Sequence, residues 1–143
     1  MQVKFQLPVR MATVLLLGLF VTATALAART AKMDSFDNIP LETGSGKPLT
    51  LAQAKQTITN AAKAREWQVK DVGADKVTAA ILVRGEFRAT VDISFTPKEF
   101  SIKYVSSENL NYKETPKGIV IHANYNKWVK TLAADIRGAA MGK

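Results

Sequence analysis

The spacing of apolar residues along the chain changes period twice. From Leu51 to about Glu66, Leu51, Ala54, Ile58, Ala61 and Ala62 recur at three- and four-residue steps, which places them on one face of a helix. Thr50, with Gln53 three residues on, makes a capping box in which hydroxyl and amide satisfy free N–H groups of the first turn. From Trp67 the period becomes two. Val77, Ala79, Ile81 and Val83 alternate with Thr78, Ala80, Leu82 and Arg84. Phe87, Ala89, Val91, Ile93 and Phe95 alternate in the same way with Arg88, Thr90, Asp92 and Ser94, and Phe100, Ile102 and Tyr104 continue the apolar set. These are strands with one buried face. Helical spacing returns with Tyr125, Trp128, Val129, Leu132 and Ile136, and Gly138 stands where a left-handed residue would end a helix.

Burial of one face also fixes how the strands pair. Val83 opposite Phe87, around the loop Arg84-Gly85-Glu86, keeps both apolar sets together, whereas a two-residue turn would set Arg84 against Phe87. A turn at Thr96-Pro97-Lys98-Glu99 pairs Phe95 with Phe100 and Ile93 with Ile102, and places Asp92 opposite Lys103 on the other face. The strand from Trp67 to Val72 keeps an open register, because Val72 falls on the face opposite to Trp67 and Val69.

The pattern predicts an α+β two-layer sandwich: a four-stranded antiparallel meander covered on one face by an N-terminal and a C-terminal helix, in the order α-β-β-β-β-α. The predicted core is Trp67, Ile81, Phe87, Val91, Ile93, Phe95, Ile102, Trp128 and Leu132. A single domain covers residues 51–138, with a tail over 139–143. Residues 28–50, which contain Pro40, Gly44, Ser45, Gly46 and Pro48 with scattered apolar positions, read as an extended, flexible lead outside the core. The polar run from Ser107 to Gly118, before Ile119-Val120-Ile121, reads as a loop longer than most connections, the kind that tends to carry function.

The beginning of the chain changes the picture. Lys4 and Arg10 precede an apolar stretch from Met11 to Ala23, and Ala25-Leu26-Ala27 supplies small residues for a peptidase. This is the build of a signal peptide over residues 1–27, cleaved after Ala27. The stretch turns to Thr and Ala in its second half, so no membrane span is expected to remain after cleavage. Ala rather than Cys at position 28 leaves nothing to acylate. Loss of Lys4 and Arg10 takes the formal net charge from +8 to +6. In an exported protein, expected in a periplasm, this charge meets envelope polyanions and no nucleic acid.

Two segments, Ser107-Glu108-Asn109-Leu110-Asn111-Tyr112 and Ile121-His122-Ala123-Asn124-Tyr125-Asn126-Lys127-Trp128-Val129 with Leu132, resemble a signature of small exported proteins and lipoproteins of proteobacteria. The resemblance covers the C-terminal third closely and the meander loosely. It implies an envelope location and no chemistry.

Composition removes most catalytic classes. The chain has no Cys and one His, which excludes disulfides, thiol nucleophiles and thiolate metal sites. No cofactor motif or ligand spacing stands out, so neither a cofactor nor a metal is expected. A hydrolase would use His122 as its base, with Ser106 or Ser107 as nucleophile and Glu108 as the orienting acid. No nucleophile motif surrounds either serine, and His122 fits a capping or surface position. The leading expectation is a non-catalytic protein that binds an envelope protein, or an anionic glycan or lipid. Its candidate residues are Glu108, Asn109, Asn111, His122, Asn124 and Asn126 in and after the long loop, and Arg84, Arg88 and Lys103 on the open sheet face. Tyr125 and Trp128 are expected in the core.

Overall fold

The computed structural model describes residues 29–143. The expected leader and its cleavage site lie outside the described residues. In chain order the elements are β1 (Thr30–Lys32), β2 (Phe36–Pro40), α1 (Leu51–Ala64), β3 (Gln68–Gly73), β4 (Lys76–Val83), β5 (Phe87–Phe95), β6 (Glu99–Glu108), β7 (Lys113–Thr115), β8 (Gly118–His122) and α2 (Ala123–Ala140).

The fold is α+β with antiparallel sheets, as the periodicity implies, but there are two sheets rather than one of four strands. The larger has the order β2-β6-β5-β4-β3 and the smaller the order β1-β8-β7. Thr50 caps α1 through the expected box, its hydroxyl accepting from Gln53 N–H at 3.1 Å while Gln53 Oε1 accepts from Thr50 N–H at 2.9 Å. The pairings Val83 with Phe87, Phe95 with Phe100 and Ile93 with Ile102 are all present. The open register of β3 resolves to Val69 opposite Ala79, with an irregularity after Asp71 that leaves Val72 exposed.

Asp92 does stand opposite Lys103, yet the two charges do not pair with each other. Lys103 reaches Asp37 at 2.6 Å, because β2 adds an edge beside β6, and Asp92 accepts from the Thr78 hydroxyl at 2.6 Å and lies 3.4 Å from Lys76.

Residues 28–50 are the largest correction. The described part of this stretch supplies β1 and β2, and Leu41 is 4 % exposed within the core. The scattered apolar residues Met33, Phe36 and Ile39 pack on that core; with strands this short, no alternation is long enough to register as a pattern. Half of the 107–118 stretch is likewise strand. β6 runs through Glu108, and β7 and β8 form a hairpin in which Thr115 pairs with Gly118. Leu110 is buried, and Tyr112 stacks on Tyr104 with ring centroids 4.5 Å apart, while Tyr125 meets Tyr104 edge-on at 5.8 Å.

At the other end, α2 continues past Gly138 to Ala140, and Gly142 takes the left-handed conformation at φ 82°. Ile136 and Ala140 extend the buried stripe by one more turn, which outweighs the roughly 1 kcal/mol cost of an interior glycine. Residues 139 and 140 therefore belong to α2, and only 141–143 follow it.

Both helices and one face of the large sheet share a single core. Trp67, Val91, Ile93, Phe95, Ile102 and Leu132 are buried as expected, and Tyr125 joins them. Ile81, Phe87 and Trp128 are only partly buried. No helix among the described residues is long and apolar enough to cross a membrane.

Candidate functional site

His122 closes β8 and caps α2. Its Nδ1 accepts from Asn124 N–H at 3.1 Å, so the ring has only Nε2 left to offer a ligand. Three backbone links fix its surroundings. His122 N–H donates to the Leu110 carbonyl at 2.7 Å, Ala123 N–H donates to the Arg29 carbonyl at 2.7 Å, and the Asn109 side-chain amide donates to the Glu86 carbonyl at 2.8 Å. Asn109 and Asn111 have φ values of 61° and 52°, a left-handed conformation that Asn adopts more readily than most side chains. Together these bonds tie the segment after β6, the start of the described chain and the β4–β5 loop to the first turn of α2.

A pocket of about 210 Å³ lies between them. Val83, Phe87, Leu110 and Trp128 give it apolar walls, and Arg29, Arg84, His122 and Asn124 give it polar ones. No carboxylate is among its lining residues. Neither Arg29 nor Arg84 has an ion-pair partner among the described residues. Arg84 is in the hairpin loop with φ 56°, off the regular strand, and so lines this pocket instead of standing on the open sheet face.

The remaining candidates are elsewhere. Arg88 and Glu108 face each other across β5 and β6 at 3.7 Å, and Lys103 is held by Asp37. The two sheet cations singled out from the sequence, Arg88 and Lys103, therefore already have carboxylate partners. Asn126 is structural: its side chain accepts from Asp34 N–H at 3.0 Å and donates to the Lys32 carbonyl at 2.8 Å. Asn109 supports the pocket without lining it, and Asn111 contributes a backbone turn.

The groups a hydrolase would require are not assembled. Ser106 pairs opposite Thr90, the Ser107 hydroxyl bonds to the Tyr104 hydroxyl at 2.8 Å, and Glu108 faces Arg88. His122 Nδ1, the atom an orienting acid would accept from, is itself an acceptor for Asn124 N–H. Among the described residues no group of three or more acidic or histidine side chains is placed to hold a metal.

Sequence reasoning missed Arg29, Leu110, Phe87 and Trp128 as pocket residues. The i, i+4 spacing of Asn124 and Trp128 on α2 was the available signal; nothing local marks Arg29. Comparison with protein-family models, curated proteins and solved structures finds no match to this chain.

Proposed function

We propose that the chain is a non-catalytic binding protein of the bacterial envelope, exported by its leader, that holds an anionic group of an envelope component in the pocket between Arg84 and His122. The observation that carries this reading is the pairing of two guanidiniums that lack carboxylate partners among the described residues with a lining that contains no acid. A guanidinium donates two parallel N–H bonds to a carboxylate or phosphate, Asn124 adds an amide, and His122 adds Nε2–H. The apolar walls lower the local dielectric and strengthen each of these contacts. The leader, with Lys4 and Arg10 ahead of Met11 to Ala23, supports the compartment.

Retention on immobilised lipopolysaccharide and on cell wall, at low and high salt, tests the reading. The wild type is expected to be retained at low salt and released at high salt, and an Arg29→Ser/Arg84→Ser double variant to lose retention. Equal retention of the double variant, or none by the wild type at either salt, contradicts it. Turnover of cell-wall or ester substrates that disappears in His122→Ala contradicts the non-catalytic part.

A further inference from the structure

The anion pocket has a neighbour. A second hollow of about 180 Å³ is lined by Arg65, Trp67, Ile81, Trp128 and Thr131, and Trp128 lines both. The two lie along the same pair of elements. On α2, Asn124, Trp128 and Thr131 follow one another at i, i+4 and i+7, one face of the helix running about 10 Å from its first turn. On β4, Val83 lines the first hollow and Ile81 the second, two residues apart and so on the same face of the strand. The partly buried Ile81, Phe87 and Trp128, displaced from the expected core, all line one or both of these neighbouring hollows, Phe87 the first, Ile81 the second and Trp128 both, and the pair is taken together as a groove.

The charge along the groove is uneven. At the α2 N-terminal end stand Arg29 and Arg84 without carboxylate partners among the described residues. At the far end the only charged lining residue is Arg65, which is already held bidentately by Asp135, with the longer contact at 3.3 Å. Between them the walls are indole, phenyl and aliphatic. Neither hollow alone reaches the size at which small-molecule pockets begin, about 300 Å³; a ligand that passed Trp128 would occupy both, about 210 Å³ and about 180 Å³.

From this geometry we infer that the groove binds an amphiphilic carboxylate, with its head at Arg29, Arg84 and His122 and its alkyl chain laid along Trp128 toward Ile81 and Trp67. The inference rests on the anion-binding reading above and adds the chemical class of the ligand. A larger hollow of about 450 Å³ lies between α1 and α2, but its charged residues Asp135 and Lys143 are of opposite sign, and Asp135 is occupied by Arg65. It offers no comparable anchor.

The test is a chain-length series. The protein is titrated with acetate, butanoate, hexanoate and octanoate at fixed ionic strength, and affinity is read from ¹H–¹⁵N chemical shifts. Affinity is expected to rise about two- to fourfold per added methylene, the value for partial to full burial of a CH2 group, until the groove is filled. Thr131→Phe, which fills the second hollow from the half-exposed face of α2, is expected to bring octanoate down toward butanoate and leave acetate unchanged. Acetate binding with no gain along the series overturns this inference and leaves the anion-binding reading standing. A gain that persists undiminished in Thr131→Phe, or affinity for the carboxylates that is unchanged in Arg84→Ser, places the chain or head elsewhere and also overturns it. Absence of binding by every carboxylate, together with absence of binding by inorganic phosphate, overturns both.

Discussion

Asn126 is spaced along α2 like a candidate ligand-binding amide, yet its carbonyl and amino groups close the turn between β1 and β2 by bonding to Asp34 N–H and the Lys32 carbonyl. Each such bond contributes about 0.5–1.5 kcal/mol net. Asn126→Ala is therefore expected to lower stability by about 1–2 kcal/mol in urea unfolding while leaving retention on envelope polyanions intact. Tyr125 offers a second check at this scale. Its burial, with a smaller contribution from Tyr104, raises the phenol well above its ordinary value near 10. Folding thus favours the neutral phenol. Its contribution to stability is full below the unfolded-state value and falls as pH rises beyond it. Absorbance titration is expected to show one of the three tyrosines ionising only as the protein unfolds in alkali; three phenols titrating together in the folded protein would contradict its burial.

Among the elements, those with long periodic patterns were legible and the short ones were not. α1 announced itself through Thr50, Gln53 and a stripe of small residues, and β4, β5 and β6 through sustained alternation that set their register from the turns as far as Val91 opposite Tyr104; beyond it an extra residue at Val105 shifts Thr90 to Ser106, which the alternation did not reveal. β1 and β7 are three residues long, β2 and β8 five. Over such lengths alternation carries almost no information, and Pro, Gly and polar residues dominate the local composition. Partner strands made these segments regular. β2 pairs with β6 outside the meander and β1 pairs with β8, contacts of long sequence separation that local pattern does not encode, whereas β7 and β8 form a local hairpin too short for alternation to show. Leu41, just after β2, marks the difference between a lead and a part of the core. Leu41→Ala is expected to cost about 2–4 kcal/mol, as for other buried leucines, measured as a fall in the urea midpoint; a change within error would return this stretch to the surface.

At the scale of the molecule, the candidate site was legible in part. His122 and Asn124 could be placed at the start of α2 and Arg84 in a hairpin loop from sequence, and the structure sets these three around one pocket. Arg88 and Lys103 were read as open-face cations from strand parity alone, which gives the side a residue faces but not the carboxylate that meets it there; Glu108 and Asp37 do so. Arg29 is brought in by the bond between its carbonyl and Ala123 N–H, a tertiary contact with no local signature. Trp128 fits a core-facing stripe equally well whether a second layer covers it or a groove leaves it open. The binding function proposed for this protein depends on where an anion sits on it. Inorganic phosphate titrated into the ¹⁵N-labelled protein at constant ionic strength measures that directly. Saturable shifts are expected at Arg84, Phe87, His122, Asn124 and the Trp128 indole N–H. Saturable shifts centred instead on Arg88 and Lys103 of the open sheet face, or none at any residue, would contradict it.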